Sequence, residues 1–418
     1  MNLDRLIQVA LERIPGGVST NIRLHEGPEK LIVKSARGSH VWTADGRELV
    51  DFVCGYGSIL LGYNFTPLTS MQTEVLGAGI GFNATSVPEI EAAERLIQVF
   101  PNHDMVRFCT TGTEATTAAI GLACAATGRG SIAVFRNHYH GWHGPTKAPR
   151  VSFPSPAAAT ASSANSVFEL TFNDSQACRD FFRIHGDRVA CVIFEIVMMN
   201  GGGFEPAHDF IQVLHEARDR YGFLLIADEI ITGFRLGLRG AQGKYGVKPD
   251  ISVFGKALGG GTPIGAIAGS KAHMSLFASG RAVHAGTFNG HPLSVASASF
   301  VLDYLREHET SVYEHLDAMA TCLRQGLPVA AQQAGLRCQV RGSGPVLWVD
   351  LPEDDDSMVG YRAFQGELLT RSVRVAQGGR WFVGFGHSQE DIDLTLQAVS
   401  GSFEAFAAKC LSPRSTVR

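Results

Sequence analysis

Five short apolar segments, each closed by a polar or glycine-rich stretch, constrain this chain more than any other feature. MVRFC (105–109), SIAVF (131–135), VACVIF (189–194), FLLIA (223–227) and DISVF (250–254) are rich in β-branched and aromatic residues. Helical stretches lie between several of them, at 89–99, 114–126 and 207–221. Strands alternating with helices predict an α/β fold with a mostly parallel sheet covered on both faces. In such open sheets ligands bind beyond the carboxyl ends of the strands, so the residues after each segment can be read together as one site.

The flanks read differently. Leu3, Leu6, Ile7, Ala10 and Ile14 recur at helical spacing before Pro15-Gly16-Gly17 stops the helix. KLIVKSARG and SHVWTADGRELVDFV, with a turn at Asp45-Gly46, predict a small antiparallel meander. From residue 292 the chain is helical and then mixed. The expected organisation is an N-terminal segment 1–62 packing with a small domain, a large domain 63–291, and a smaller α+β domain 292–418. SFPSPAAATASSANS (152–166) reads as a surface loop.

Composition removes several classes of function. Lys plus Arg is 36 and Asp plus Glu is 40 over 418 residues, a net charge of −4 with no basic run, so no nucleic-acid footprint is present. No uninterrupted apolar stretch approaches the roughly 18 residues of a membrane span. Charged residues interrupt MNLDRLIQVALERI, which is therefore no secretory signal. Eight cysteines without a Cys-x-x-Cys pair are expected to be reduced thiols of a cytoplasmic protein.

The post-strand residues carry the chemistry. After MVRFC, Thr110-Thr111-Gly112-Thr113-Glu114 opens an Ala-rich helix. Free N–H groups at that helix start suit a phosphate, and a simple threonine cap is the plainer alternative. After the next strands come Asn137-His138-Tyr139-His140-Gly141, Glu195-Ile196-Val197-Met198-Met199-Asn200 and Asp228-Glu229-Ile230. Last comes Gly255-Lys256-Ala257-Leu258-Gly259-Gly260-Gly261. Lysines are ordinarily solvated, yet Lys256 follows an apolar strand directly and precedes three glycines. A Schiff-base cofactor needs a lysine, a carboxylate for its pyridinium nitrogen and a phosphate site. All three stand in consecutive strand–helix units.

With these residues in place, the chain resembles the class III, pyridoxal-phosphate-dependent aminotransferases, and within them the glutamate-1-semialdehyde aminomutase-like branch. The resemblance runs from PGGVSTNIR (15–23) to GHSQEDID (386–393) and rests on DEIITGFR (228–235) followed by FGKALGGGTPIGA. It implies the fold type I architecture of pyridoxal-phosphate transferases, with pyridoxal 5′-phosphate as cofactor. It makes Lys256 the Schiff-base lysine and Asp228 the partner of the ring nitrogen. By the same resemblance Ile230 packs behind the ring, Tyr139 stacks on it, and Gly112 and Thr113 hold the phosphate. Glu195 and Asn200 fall at cofactor-site positions, and Thr287 in HAGTFNGHP matches a threonine that reaches the phosphate of a neighbouring subunit, implying a homodimer. Arg23 matches the arginine that grips a substrate carboxylate, and Tyr56 stands where the aminomutase has a pocket tryptophan. The chain departs from the branch at Glu195-Ile196, at Met198-Met199, and in QGGRWFVGFGH (377–387), which lacks the aminomutase's acidic group although Arg380 is present.

Three reactions of one cofactor therefore stand open: transamination of a small polar carbonyl compound such as an aminosugar or aminocyclitol precursor, 2,1-amine migration, and epimerisation. Epimerisation needs a second acid, for which Tyr56, Cys54 and His140 are available. A different class, a metal-dependent hydrolase, would use His138, His140 and His143 with Asp228 and Glu229 as carboxylate partners. A P-loop is excluded, since Gly255-Lys256 lacks the earlier glycine and the following Ser/Thr. Arg23 is expected to contact the substrate's polar end, its structural partners being limited to Glu26 or Glu29.

Overall fold

A computed structural model describes residues 2–25, 30–142, 144, 150–152, 166–351 and 358–411. The loop expected at 152–166 and the residues Glu26, Glu29 and His143 lie almost wholly outside this set. Contacts divide the chain into two compact units, 66–310 and a second one made of 1–65 with 311–418.

The larger unit is built on an eight-stranded sheet. Its order is Met105–Cys109, Gly265–Gly269, Ile251–Gly255, Leu224–Asp228, Val189–Glu195, Ser131–Phe135, Val167–Leu170, Arg150–Ser152. Every neighbouring pair from Ile251–Gly255 outward to Arg150–Ser152 is parallel. All seven residues of Val189–Glu195 are buried. A strand covered on both faces has no solvent side, which is why VACVIF is a continuous apolar run rather than an alternation.

Gly265–Gly269 was not expected, and it runs antiparallel to both neighbours. Its small residues are dictated by close approach. A Cβ on Gly265 would lie 2.5 Å from the Thr111 carbonyl oxygen and 2.8 Å from Cys109 Sγ. The helix Pro292–Glu307 also corrects the expected boundary at 292, for it belongs to the larger unit. It packs on the helices Thr66–Ala78 and Val87–Val99 and on the turn Lys256–Gly259. Its apolar face is buried there, and Asp303 pairs with Arg95 at 2.5 Å.

In the other unit, Val33–Arg37, His40–Thr43 and Glu48–Asp51 form the antiparallel meander. Val373–Arg374, from the far end of the chain, adds to it in parallel beside Glu48–Asp51. The buried Asp51 carboxylate receives Arg374 at 3.1 Å and the Tyr63 hydroxyl at 2.7 Å. Gln339–Ser343, Val346–Asp350 and Arg380–Phe382 make a separate three-stranded sheet. Among the described residues no helix is long and apolar enough to cross a membrane.

Candidate active site in the larger unit

The site grows from strand ends. After Met105–Cys109, Thr111 caps the helix Gly112–Thr127 by accepting the Glu114 N–H. Glu114 in turn accepts the N–H groups of Thr110 and Thr111 at 2.9 and 2.8 Å. This reciprocal cap occupies the donors before the helix and leaves the N–H groups of Gly112 and Thr113 as the first ones without an intrahelical acceptor. The threonine cap is thus present, and it leaves these two N–H groups open to an anion. Gly141, with φ at +97°, lies directly over it, where a Cβ would sit 2.7 Å from Thr113 Oγ1.

Asp228 ends its strand with the side chain buried, and its Oδ2 meets Nδ1 of buried His140 at 2.7 Å. The other oxygen accepts the Ile230 N–H at 3.1 Å. Glu195, at the end of the neighbouring strand, is equally buried. It accepts the Tyr139 N–H at 2.7 Å and both the backbone N–H and the side-chain amide of Asn200. Burial is the largest influence on Glu195 and pushes its carboxyl up. Asn200 is thus held by Glu195. His138 completes the loop by accepting the Glu195 N–H at 3.0 Å. Partial burial, reinforced by the Asp228 carboxylate, pushes the half-exposed Tyr139 phenol up.

Lys256 opens the short turn Lys256–Gly259 with φ at +44°, a left-handed conformation uncommon for any residue with a Cβ. The turn is tightly seated. At Gly260, φ is +56° and a Cβ would come 2.6 Å from Leu68. Ile230 fills the space between the phosphate-type turn and the lysine turn, with its Cδ1 3.0 Å from a Cβ placed on Gly112 and 3.2 Å from one on Gly255. A flat ring with an anionic arm fits such a set: free N–H groups at one end, a buried carboxylate at the other, and an aliphatic side chain between glycines.

Glu229 does not join this site. Its buried carboxylate accepts the Thr232 hydroxyl and the N–H groups of Ala241 and Gln242, at the start of the helix Gly240–Tyr245. Successive residues at a strand end point to opposite sides, so Asp228 and Glu229 cannot serve one centre. That removes the carboxylate pair expected for a metal hydrolase. Among the described residues no group of three or more His, Cys, Asp or Glu side chains could hold a metal ion. Met198 and Met199 are buried and line no open surface.

The remaining expected residues stand elsewhere. Thr287 is exposed in a cleft of about 320 Å³ with Phe82, Asn83, Glu89, Phe288 and Asn289, and none of the other candidate residues lines it. Arg23 and Tyr56 belong to the other unit, Arg23 exposed in the turn Asn21–His25. Tyr56 sits in a left-handed turn at φ +55°, 6.0 Å from the Arg380 guanidinium. The pairing of His140 with Asp228 was missed from the sequence.

Residues 23–399 match the family model for aminotransferase class-III. The glutamate-1-semialdehyde 2,1-aminomutase of Thermomicrobium roseum is 34% identical over 417 residues, 95% of this chain and 96% of its own. An omega-transaminase from Sphaerobacter thermophilus superposes with a TM-score of 0.86 at 27% identity, covering 97% of each chain. A transaminase with PLP bound superposes with a TM-score of 0.86 at 26% identity, over 97% of this chain and 98% of its own.

Proposed function

The chain belongs to the class-III aminotransferases, pyridoxal-phosphate enzymes of fold type I, and from that premise we propose that it is a transaminase. It moves an amino group between an amino donor and the aldehyde or ketone of a small polar substrate, of the aminosugar or aminocyclitol kind. The observation that carries this reading is the segment QGGRWFVGFGH (377–387), which holds no carboxylate where the aminomutase resemblance calls for one.

When bound, pyridoxal phosphate supplies an electron sink for the carbon bearing the amino group. The chain's own residues do the rest. The Gly112 and Thr113 N–H groups and the positive end of their helix hold the phosphate. Asp228 accepts a charge-assisted hydrogen bond from the ring nitrogen, Ile230 supports one ring face, and Tyr139 covers the other. Glu195 and Asn200 fix the loop that carries Tyr139. With the cofactor in place, the Lys256 amine would be the group that takes and returns the substrate's proton, a general-base role worth about 10²–10⁴-fold. By the family resemblance, Arg23 and Tyr56 are the residues offered to the substrate. The exposed Thr287 serves the phosphate of a second copy in a homodimer.

Purified protein incubated with the cofactor should turn yellow, and borohydride should fix the cofactor on Lys256, as read by peptide mass spectrometry. A protein that stays colourless with Lys256 intact overturns the reading. A second reading, amine migration, is favoured by the name of the Thermomicrobium relative. Product formation without any amino donor would select it over transamination. Deuterium taken up from D₂O with only the configuration changed would select epimerisation.

A further inference from the structure

Resting on the assignment of Asp228 to the ring nitrogen, we propose that His140 is a positioning residue. It aims the Asp228 carboxylate and ties it to the helix that holds the phosphate, so that both ends of the cofactor are gripped by one connected piece.

His140 is held at three points. Its side chain is 1% exposed and its Nδ1 lies 2.7 Å from Asp228 Oδ2, itself on a side chain only 4% exposed. Its carbonyl oxygen accepts the hydroxyl of buried Thr116 at 2.7 Å, four residues into the helix Gly112–Thr127. The next residue, Gly141, packs on Thr113. The side chain thus reaches one end of the site while the backbone is fastened to the other.

The donor atom follows from the partner. An ionised carboxylate only accepts, so Nδ1 is the nitrogen that donates to it. Nε2 is buried and without a hydrogen-bond partner among the described residues. Its surroundings include the His138 ring, edge-on at 5.9 Å. Among the described residues no hydrogen-bond partner on that side competes for the imidazole. With Oδ2 taken by His140 and Oδ1 steadied by the Ile230 N–H, the carboxylate has one orientation, and its remaining lone pairs have a fixed direction. A fixed acceptor spares the cofactor the cost of ordering it on binding. Without His140 the carboxylate would be free to rotate, or a water would take the imidazole's place.

The test uses the full chain, with His140→Leu to delete the donor and His140→Asn to restore an N–H close to the Nδ1 position. Thr116→Val cuts the second tie and is available should His140→Leu fail to fold. Affinity for pyridoxal phosphate is measured by titrating the apoprotein, and the pH midpoint of the visible band is measured on the loaded protein. Loss of one charge-assisted hydrogen bond predicts affinity weakened roughly tenfold to hundredfold in His140→Leu. The band midpoint should shift as well, and both changes should be largely reversed in His140→Asn. Thr116→Val should move both quantities the same way by less. Affinity and midpoint unchanged in His140→Leu, or in Thr116→Val where that variant stands in, overturn the proposal. Asp228→Asn separates the two levels. If it leaves affinity and band unchanged, the assignment of Asp228 itself is wrong. If it alone disturbs them, only the role of His140 falls.

Discussion

Replacing Gly141 by alanine tests whether the loop after Ser131–Phe135 is held against the helix start at Thr113 as closely as the distances say. The native φ is +97°, and a Cβ would lie 2.7 Å from Thr113 Oγ1, 3.0 Å from its Cα and 3.1 Å from its Cβ. Only the hydroxyl can swing away, because the other two atoms belong to the helix start. A side chain at such a φ costs on the order of 1–3 kcal/mol. Forcing an extra methyl into packed surroundings costs typically about 1–3 kcal/mol more. A domain of this size loses about 2–4 °C of melting temperature per kcal/mol. Gly141→Ala should therefore melt at least about 4 °C lower and bind pyridoxal phosphate more weakly, since its relief is to lift the loop off Thr113. Gly121→Ala is the control. It lies exposed in the same helix with nothing within 4 Å of the new methyl, and it should stabilise by roughly 0.5–1 kcal/mol. Calorimetry of both apoproteins, followed by cofactor titration, decides the matter. If Gly141→Ala matches the parent in melting and in affinity, the loop is not seated as described.

Three further outcomes are expected. Thr111→Ala removes the side-chain acceptor of the helix cap and should cost about 1 kcal/mol by chemical denaturation, with weaker cofactor binding. The unit containing His40 should lose stability as pH rises. The hydrogen bond to Asp391 raises His40 above its ordinary 6.5, with Glu48 on its other ring nitrogen. That contribution is full below pH 6.5 and fades through the raised value. Against the cost of burial, hydrogen bonds from His40, Ser388 and Ser39 hold Asp391 well below its ordinary 3.8. Its share is lost only in strong acid, so melting between about pH 6 and pH 9 should fall more steeply in the parent than in His40→Gln. Finally, mixing Lys256→Ala with Thr287→Ala chains under subunit exchange should regain activity from one intact site per heterodimer. Mixtures that stay dead would refute the shared site.

Five of the eight strands of the large sheet were legible because apolar, β-branched runs marked them, and the same runs located the residues beyond their ends; Val167–Leu170 and Arg150–Ser152 were not read. Gly265–Gly269 was not legible. Its residues are small to admit the backbone at Thr111, and small residues carry no strand signal. His140 and Asp228 are 88 positions apart, and their pairing follows only from the strand order that sets Ser131–Phe135 two strands from Leu224–Asp228. The strand alternation that turns Glu229 away from Asp228 was present in the sequence and could have excluded the metal centre at once. Helix Pro292–Glu307 was legible as a helix, but its apolar face does not say which unit it covers.

The parallel pairing of Val373–Arg374 with Glu48–Asp51 has a consequence for how the protein is made. Asp51 and Arg374 are separated by 323 positions, and at about 5–20 residues per second a ribosome takes roughly 15–65 s to deliver the second after the first. The 66–310 unit emerges whole in that interval. The early meander must wait, with the edge of Glu48–Asp51 unpaired and the Asp51 carboxylate without its arginine. An unpaired strand edge is a template for the wrong partner. The segment 33–51 is therefore the part of the nascent chain in greatest need of a chaperone, and slowing translation between the two strands should lower the yield of folded protein.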